Sequence, residues 1–331
     1  MLLVNLGSPD SYQVKDVKKY LDQFLMDERV IDLPLWKRNL LVRGIILNTR
    51  PKKSAEAYKS IWWEEGSPLI VLSERLLTKV QQFADFPVGL AMRYGNPSIK
   101  KAIQELVNEN PDLKEIKLIP LYPHYAMSSY ETVVVEVQKV REAYFPNIQI
   151  SVKRPFYKDE DYLSVLTESI KPYLNQEFDQ LLFSYHGIPE RHVQKSDITK
   201  TQCLKMKDCC AVDSPVHEFC YRHQTLDSSN LIASRLGLSA DQYTTSFQSR
   251  LGRDPWLTPF TDKTIASLPA KGVKRLLVVC PAFVSDCLET IEEIGEEAKE
   301  IFIENGGKDF RLIPCLNDDD KWAKTIVSWG L

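Results

Sequence analysis

No stretch of the 331-residue sequence approaches the roughly 20 consecutive apolar residues that a membrane span needs. Long basic blocks are missing too: 42 Lys and Arg against 45 Asp and Glu leave a net charge of −3, which argues against nucleic acid as a partner. The opening MLLVNL lacks the basic, apolar, small-residue succession of a secretory leader and reads as a strand. A cytoplasmic protein is therefore expected. With 44% apolar residues over this length, two cores of ordinary size can form without disulfide staples, and seven cysteines is an odd number. The C-x2-C pairs of common zinc sites are absent.

What is present is alternation. Short apolar runs rich in Val, Ile, Leu and Tyr occur at 2–6, 88–94, 116–122, 148–153, 181–185, 243–248, 276–280 and 310–314. Several are continuously apolar, as suits strands buried on both faces of a parallel sheet. Helical patterns separate them at 98–108, 129–144, 161–174, 226–236 and 288–303, and a last one covers 319–329. This predicts an α/β protein of doubly wound parallel sheets.

The sequence also repeats itself. LLVNLGSP, ending at Pro9, resembles LFSYHGIP, ending at Pro189, so Gly7 falls opposite Gly187 and Leu6 opposite His186. AMRYG, with Arg93 and Tyr94, pairs loosely with FQSRLG, with Arg250 and Leu251. KLIPLYPHYAMSSYET pairs with RLLVVCPAFVSDCLET, matching Glu131 and Thr132 to Glu289 and Thr290. A duplicated unit is implied, with a titratable histidine in one copy. The expected division is 1–156 and 157–318, followed by a C-terminal helix at 319–331. Ligands of such sheets bind beyond the carboxyl ends of the strands, which is where His186 and the segment after Pro281 fall.

Glu289, Glu293 and Glu297 form a row at four-residue spacing, opposite an apolar stripe of Ile291, Ile294, Ala298, Ile301 and Phe302. Such a row ordinarily reads as a solvated face. The duplicated position and a place in the first turn after a strand-end loop favour a site for Glu289. A lone histidine at a strand end can be a core residue; next to a carboxylate it becomes a proton acceptor or metal ligand. Arg93, Tyr94, Tyr122, Tyr125, Ser128 and Ser129 offer what a flat anionic ligand needs: aromatic faces, a guanidinium and hydroxyls. From these residues alone, packing of the tyrosines and a surface ion pair for Arg93 is the favoured reading. The segment 36–53, WKRNLLVRGIILNTRPKK, is basic and amphipathic, as on a surface helix or on an anionic membrane. Cys203, Cys209, Cys210 and Cys220, in a polar segment at about 196–224, suit an iron–sulfur cluster, a structural zinc or neither.

LLVNLGSPD, YLDQFLMDERVIDLP, GSPL, AMRYGNPS, LYPHYAMSS, SYHGIPERH, TSFQSRLGRDPWLTPFTD and PAFVSDCLETIEE together resemble the ferrochelatases over nearly the whole chain. The resemblance implies two Rossmann-like units around a cleft and a lyase that inserts ferrous iron into protoporphyrin IX to give protohaem. It implies His186 and Glu289 as metal-site and proton-abstracting residues, with Glu293 and Glu297 continuing the acidic path. Arg93 and Tyr94 would line the porphyrin cleft beside Leu6, Tyr122 and Ser128. The segment at about 24–53 would form a lip that can touch the inner face of the plasma membrane. Some members place [2Fe–2S] cysteines partly in a C-terminal extension; no such extension is expected here, and Met127 stands at their upstream cysteine. A cluster here would therefore use the four internal cysteines. Leu6 replaces the Tyr common in the coproporphyrin-using branch, which leans towards protoporphyrin. A coproporphyrin-using ferrochelatase, a cobalt or nickel tetrapyrrole chelatase and a non-catalytic tetrapyrrole carrier are the competing readings; a carrier has no use for the acidic row.

Overall fold

A computed structural model describes residues 1–252 and 254–330. It contains two four-stranded parallel sheets flanked by helices. The first holds β1 (Leu2–Asn5), β2 (Gly89–Met92), β3 (Glu115–Pro120) and β4 (Gln149–Val152), in the order β2-β1-β3-β4. The second holds β5 (Gln180–His186), β6 (Tyr243–Gln248), β7 (Arg275–Val279) and β8 (Asp309–Leu312), in the order β6-β5-β7-β8. The two orders are the same once the first strand of each sheet is matched, so the repeat extends to topology. All eight apolar runs become strands, with slightly shifted ends. Helices cover both faces, and so Leu2, Leu3 and Val4 of β1 and Leu181, Leu182 and Phe183 of β5 are wholly buried.

The chain divides into two compact units. One comprises Met1–Leu121, Met127–Arg154 and Asn317–Leu331; the other comprises Tyr122–Ala126 and Pro155–Leu316. The C-terminal helix Asp320–Ser328 packs on the helix Pro68–Phe83 of the first unit, where Lys79 pairs with Asp320 at 2.8 Å. In the second unit, Leu182, Leu276 and Val278 of the sheet meet Ile294, Ala298 and Phe302 of the acidic helix in one core.

The helix expected at 288–303 is not uniform. It runs α over Leu288–Ile291, π over Glu293–Ala298 and α again over Lys299–Glu304, with Glu297 N donating to Glu292 O, five residues back, at 2.9 Å. In an ideal α-helix a row of four-residue steps drifts by about 40° per step. The wider π turn offsets that drift, and Ile294, Ala298 and Phe302 all stay buried. Another π turn, Met127–Glu131, precedes the helix Thr132–Tyr144 at the matching place in the first unit.

Candidate active site

β5 ends at His186 and β6 at Gln248, and the two residues are partners across the sheet. The strands are drawn tightly together here: Gly187 N donates to Gln248 O at 2.6 Å. A Cβ on Gly187 would lie 2.9 Å from Ser249 O and 3.0 Å from Gln248 O, so the residue after the histidine has to be glycine. The His186 ring is half-buried. Its Nδ1 lies 2.6 Å from Gly187 O, and Nδ1–H donating there leaves Nε2 with its lone pair. Tyr221 Oη donates to His186 O at 2.9 Å, and the Phe283 ring lies 6.5 Å away.

Gln248 ties this strand end to the acidic helix. Its Nε2 donates to Glu289 O at 2.7 Å and reaches Glu293 Oε2 at 3.5 Å, while its Oε1 accepts from Ser184 Oγ at 2.8 Å. Ser249, held at a φ of 60°, donates from Oγ to Glu293 Oε2. A left-handed non-glycine residue is strained, and here the strain turns a hydroxyl onto a carboxylate. Burial, and then the neighbouring charge of Glu289, raise the Glu293 pKa; His186, Ser249 and Gln248 pull it back only in part. An imidazole and two carboxyls are thus electrostatic neighbours at the carboxyl ends of β5 and β6. Glu289 and Glu293 are half-buried and Glu297 is exposed, so the row climbs from the site to the surface. Gln248 and Ser249 were not singled out by sequence; the signal available was their place in FQSRLG, directly before the arginine that the repeat emphasised.

The matching strand end of the first unit is a closed network. Asp27 Oδ2 accepts from Arg93 Nη2 at 2.5 Å, Thr132 Oγ1 at 2.5 Å and Tyr94 Oη at 2.9 Å, and Asp27 Oδ1 accepts from Arg29 N at 2.7 Å. Burial alone would raise the Asp27 carboxyl. The hydrogen bonds of Thr132 and the Arg29 backbone, with the Arg93 charge, hold it below its ordinary value. Tyr94 was expected to offer its ring to a ligand. It is fully buried instead, packed against Phe24 at 5.2 Å and under the Arg93 guanidinium at 4.4 Å, so it can only brace Arg93 and Asp27. Leu6 and Ser128 in this unit, and Tyr122 in the other, are half-buried. Sheet register also corrects the pairing of Arg93 with Arg250. A Cβ on Gly7 would strike Tyr94 O, as one on Gly187 would approach Ser249 O, so Tyr94 matches Ser249 and Arg93 matches Gln248. Arg250 instead pairs with Asp262 at 2.9 Å.

Cys203, Cys209 and Cys220 are buried and Cys210 is half-buried. The thiols form a chain of hydrogen-bond neighbours, Cys203 to Cys220, Cys220 to Cys210 and Cys210 to Cys209. The Cys203 thiol, with burial, pushes the Cys220 pKa up to about 12, against the opposing effect of Cys210. Arg222 Nη1 lies 3.2 Å from Cys210 Sγ, a cation placed where thiolate charge would form. Asp197 anchors the segment by accepting from the backbone of Thr199, Gln202 and Cys203 at 2.8–2.9 Å. Among the described residues, no group of three or more His, Cys, Asp or Glu side chains is placed to hold a metal ion. The thiols fit an iron–sulfur cluster in kind and in number, but stand as a string and not as a finished cage.

Comparison with known proteins gives the family. The ferrochelatase family matches residues 1–329. A ferrochelatase of Pseudomonas syringae pv. syringae (strain B728a) is 51% identical over 327 residues, covering 98% of this chain and 95% of the relative. One of Azotobacter vinelandii (strain DJ / ATCC BAA-1303) is 50% identical over 330 residues, covering 99% and 96%. The fold is also that of SirB from Bacillus subtilis with Fe3+, at a TM-score of 0.52 and 14% identity over 78% of this chain and 86% of that one. The chain belongs to the ferrochelatase family, lyases that insert a metal ion into a porphyrin.

Proposed function

We propose that the chain inserts ferrous iron into protoporphyrin IX, giving protohaem, with His186 and Glu289 at the iron and Glu293 and Glu297 carrying protons away. The supporting observation is the meeting, at the carboxyl ends of β5 and β6, of an imidazole with Nδ1 committed and a half-buried carboxyl with a raised pKa. A porphyrin must lose two pyrrole protons before a divalent metal can enter its plane. Nε2 of His186 can accept the two in turn, handing each to a carboxyl that protonates readily and passes it on along the row. A flat macrocycle hides its nitrogen lone pairs, so a rigid site that distorts it lowers the barrier. Arg93 and Ser128 would hold the porphyrin carboxylates, while Leu6 and Tyr122 meet its apolar face. The apolar Leu6 favours protoporphyrin. Incubation with ferrous iron and either protoporphyrin IX or coproporphyrin III, followed by the haem spectrum, tests this. A higher kcat/KM for coproporphyrin would discard the substrate assignment, and no haem from either would discard the activity.

Two finer readings accompany it. Cys203, Cys209, Cys210 and Cys220 would ligate a [2Fe–2S] cluster, which when bound supplies a one-electron centre and cross-links its segment. A protein purified anaerobically without visible absorbance or acid-labile sulfide would exclude it. The other is a cytoplasmic enzyme that touches the membrane surface. No helix among the described residues is long and apolar enough to cross a membrane, yet Leu35, Trp36, Leu40 and Ile45 are all more than half exposed beside Lys37 and Arg43. Sedimentation with lipid vesicles checks this contact, and recovery of all the protein in the supernatant would refute it.

A further inference from the structure

We infer that a cavity of about 650 Å³ in the first unit is a phosphate-binding site, distinct in its key residues from the chelation machinery. Its wall carries Lys19, Arg29, Arg38, Arg43, Arg93 and Lys139 against the three carboxylates of Asp22, Asp27 and Glu28. Four of these cations are already committed. Lys19 pairs with Asp10 at 3.0 Å, Arg29 with Glu131 at 3.0 Å, Arg43 with Asp22 at 2.8 Å and Arg93 with Asp27 at 2.5 Å. Arg38 and Lys139 are left over.

Arg38 is the unusual one. It is only 7% exposed, and among the described residues it makes no ion pair. Nη1 donates to the carbonyl oxygens of Ile31 and Leu33, both at 3.2 Å, and Nε has no partner at all. A buried guanidinium without a counter-ion is costly, and an oxyanion in the cavity that it lines removes that cost. Lys139, exposed and likewise without an ion pair among the described residues, supplies a second uncommitted charge on the same wall. A phosphate monoester or free phosphate, at about −1.5 to −2 near neutral pH, balances the two together; a single carboxylate balances one.

The phosphate can come from a small solute or from a lipid headgroup. The second source is open because Leu35, Trp36 and Leu40, exposed by 61%, 67% and 65%, flank Arg38 in the chain.

The experiment uses the whole chain without porphyrin or iron, so its outcome is independent of the chelation reading. Calorimetric titration with inorganic phosphate, at ionic strength matched with chloride, is run beside sedimentation with phosphatidylcholine vesicles with and without phosphatidylglycerol. Saturable phosphate binding that weakens roughly tenfold to a hundredfold in Arg38→Gln establishes the site. Binding only to the phosphatidylglycerol vesicles, weakened in the same variant, establishes it as a headgroup site. Lys139→Gln, a change at an exposed residue, should weaken whichever binding is seen and guards against misfolding of the first variant. The proposal is overturned if neither probe binds, or if both variants bind as the parent does. It is also overturned if phosphate does not bind while Arg38→Gln raises the KM for porphyrin, since the cavity would then belong to the substrate site.

Discussion

A carboxyl serves as a proton carrier when its charged form is costly but still within reach, and Glu293 is held in that condition. Burial and Glu289 push its pKa up, while the Ser249 hydroxyl and the Gln248 amide keep the anion accessible. The linkage has a definite sign. In the unfolded chain this group titrates near 4.5, and in the folded chain higher. Below the unfolded value both states carry the proton; above the folded value only the native state must bury a charge. Glu293→Gln should therefore stabilise the protein at pH 8, by on the order of 1 kcal/mol, and this gain should vanish below about pH 4.5. Urea midpoints at the two pH values check it, and an equal effect at both would remove the buried charge from the account. Turnover of the same variant should fall, because glutamine cannot relay a proton. At this scale the sequence singled out His186 and Glu289 because chemistry and repetition coincided there, and the structure makes both electrostatic neighbours of Glu293. It was unreadable where a residue's role depends on a backbone angle, as for Ser249, or on burial, as for Tyr94.

Strand ends do the positioning. β1 and β5 each lead into a glycine pressed against the neighbouring strand's backbone, and β3 and β7 are each followed by a helix that carries a π turn near its start. The eight strands were legible because parallel strands buried on both faces need near-continuous apolar runs. The π turns were not, because one extra residue per turn leaves composition and spacing looking helical. Nor was the burial of Arg38, which sits in a stretch whose pattern reads as a basic surface. The network at the matching strand end of the first unit rests on Asp27, whose carboxylate compensates Arg93 and receives the hydroxyls of Thr132 and Tyr94. Asp27→Asn leaves Arg93, with 12% of its side chain exposed, without its nearest charge partner. Breaking a buried pair in this way costs about 3 kcal/mol at neutral pH. The folded Asp27 pKa lies below its unfolded value, so the stability it contributes is present above about pH 3.8 and is lost as pH falls through the folded value. The gap between variant and parent should therefore close in acid. A urea midpoint unchanged at pH 7 would show that the network contributes nothing to stability.

Duplication gives the whole molecule one strand order twice, with different side chains at the strand ends. The first unit spends its strand-end polar groups on a mutually satisfied cluster, whereas the second leaves an imidazole and an acidic row exposed in part to a ligand. If recognition and chemistry are divided in this way, binding of the porphyrin should survive loss of the histidine. Any ligand that binds only the native state raises its stability by RT ln(1 + [L]/Kd), about 2.7 kcal/mol at a hundredfold excess over Kd. His186→Ala should show nearly the same rise in thermal midpoint with protoporphyrin IX as the parent protein does. Its haem formation should meanwhile fall by roughly a hundredfold to ten-thousandfold, the usual worth of a positioned base. Scanning calorimetry with and without porphyrin, beside the haem assay, separates the two quantities. If the thermal shift disappears together with turnover, His186 is a binding residue and the division of labour between the units is wrong. If turnover persists, the proton acceptor must be sought along the acidic row, where Glu293 is the first group to test.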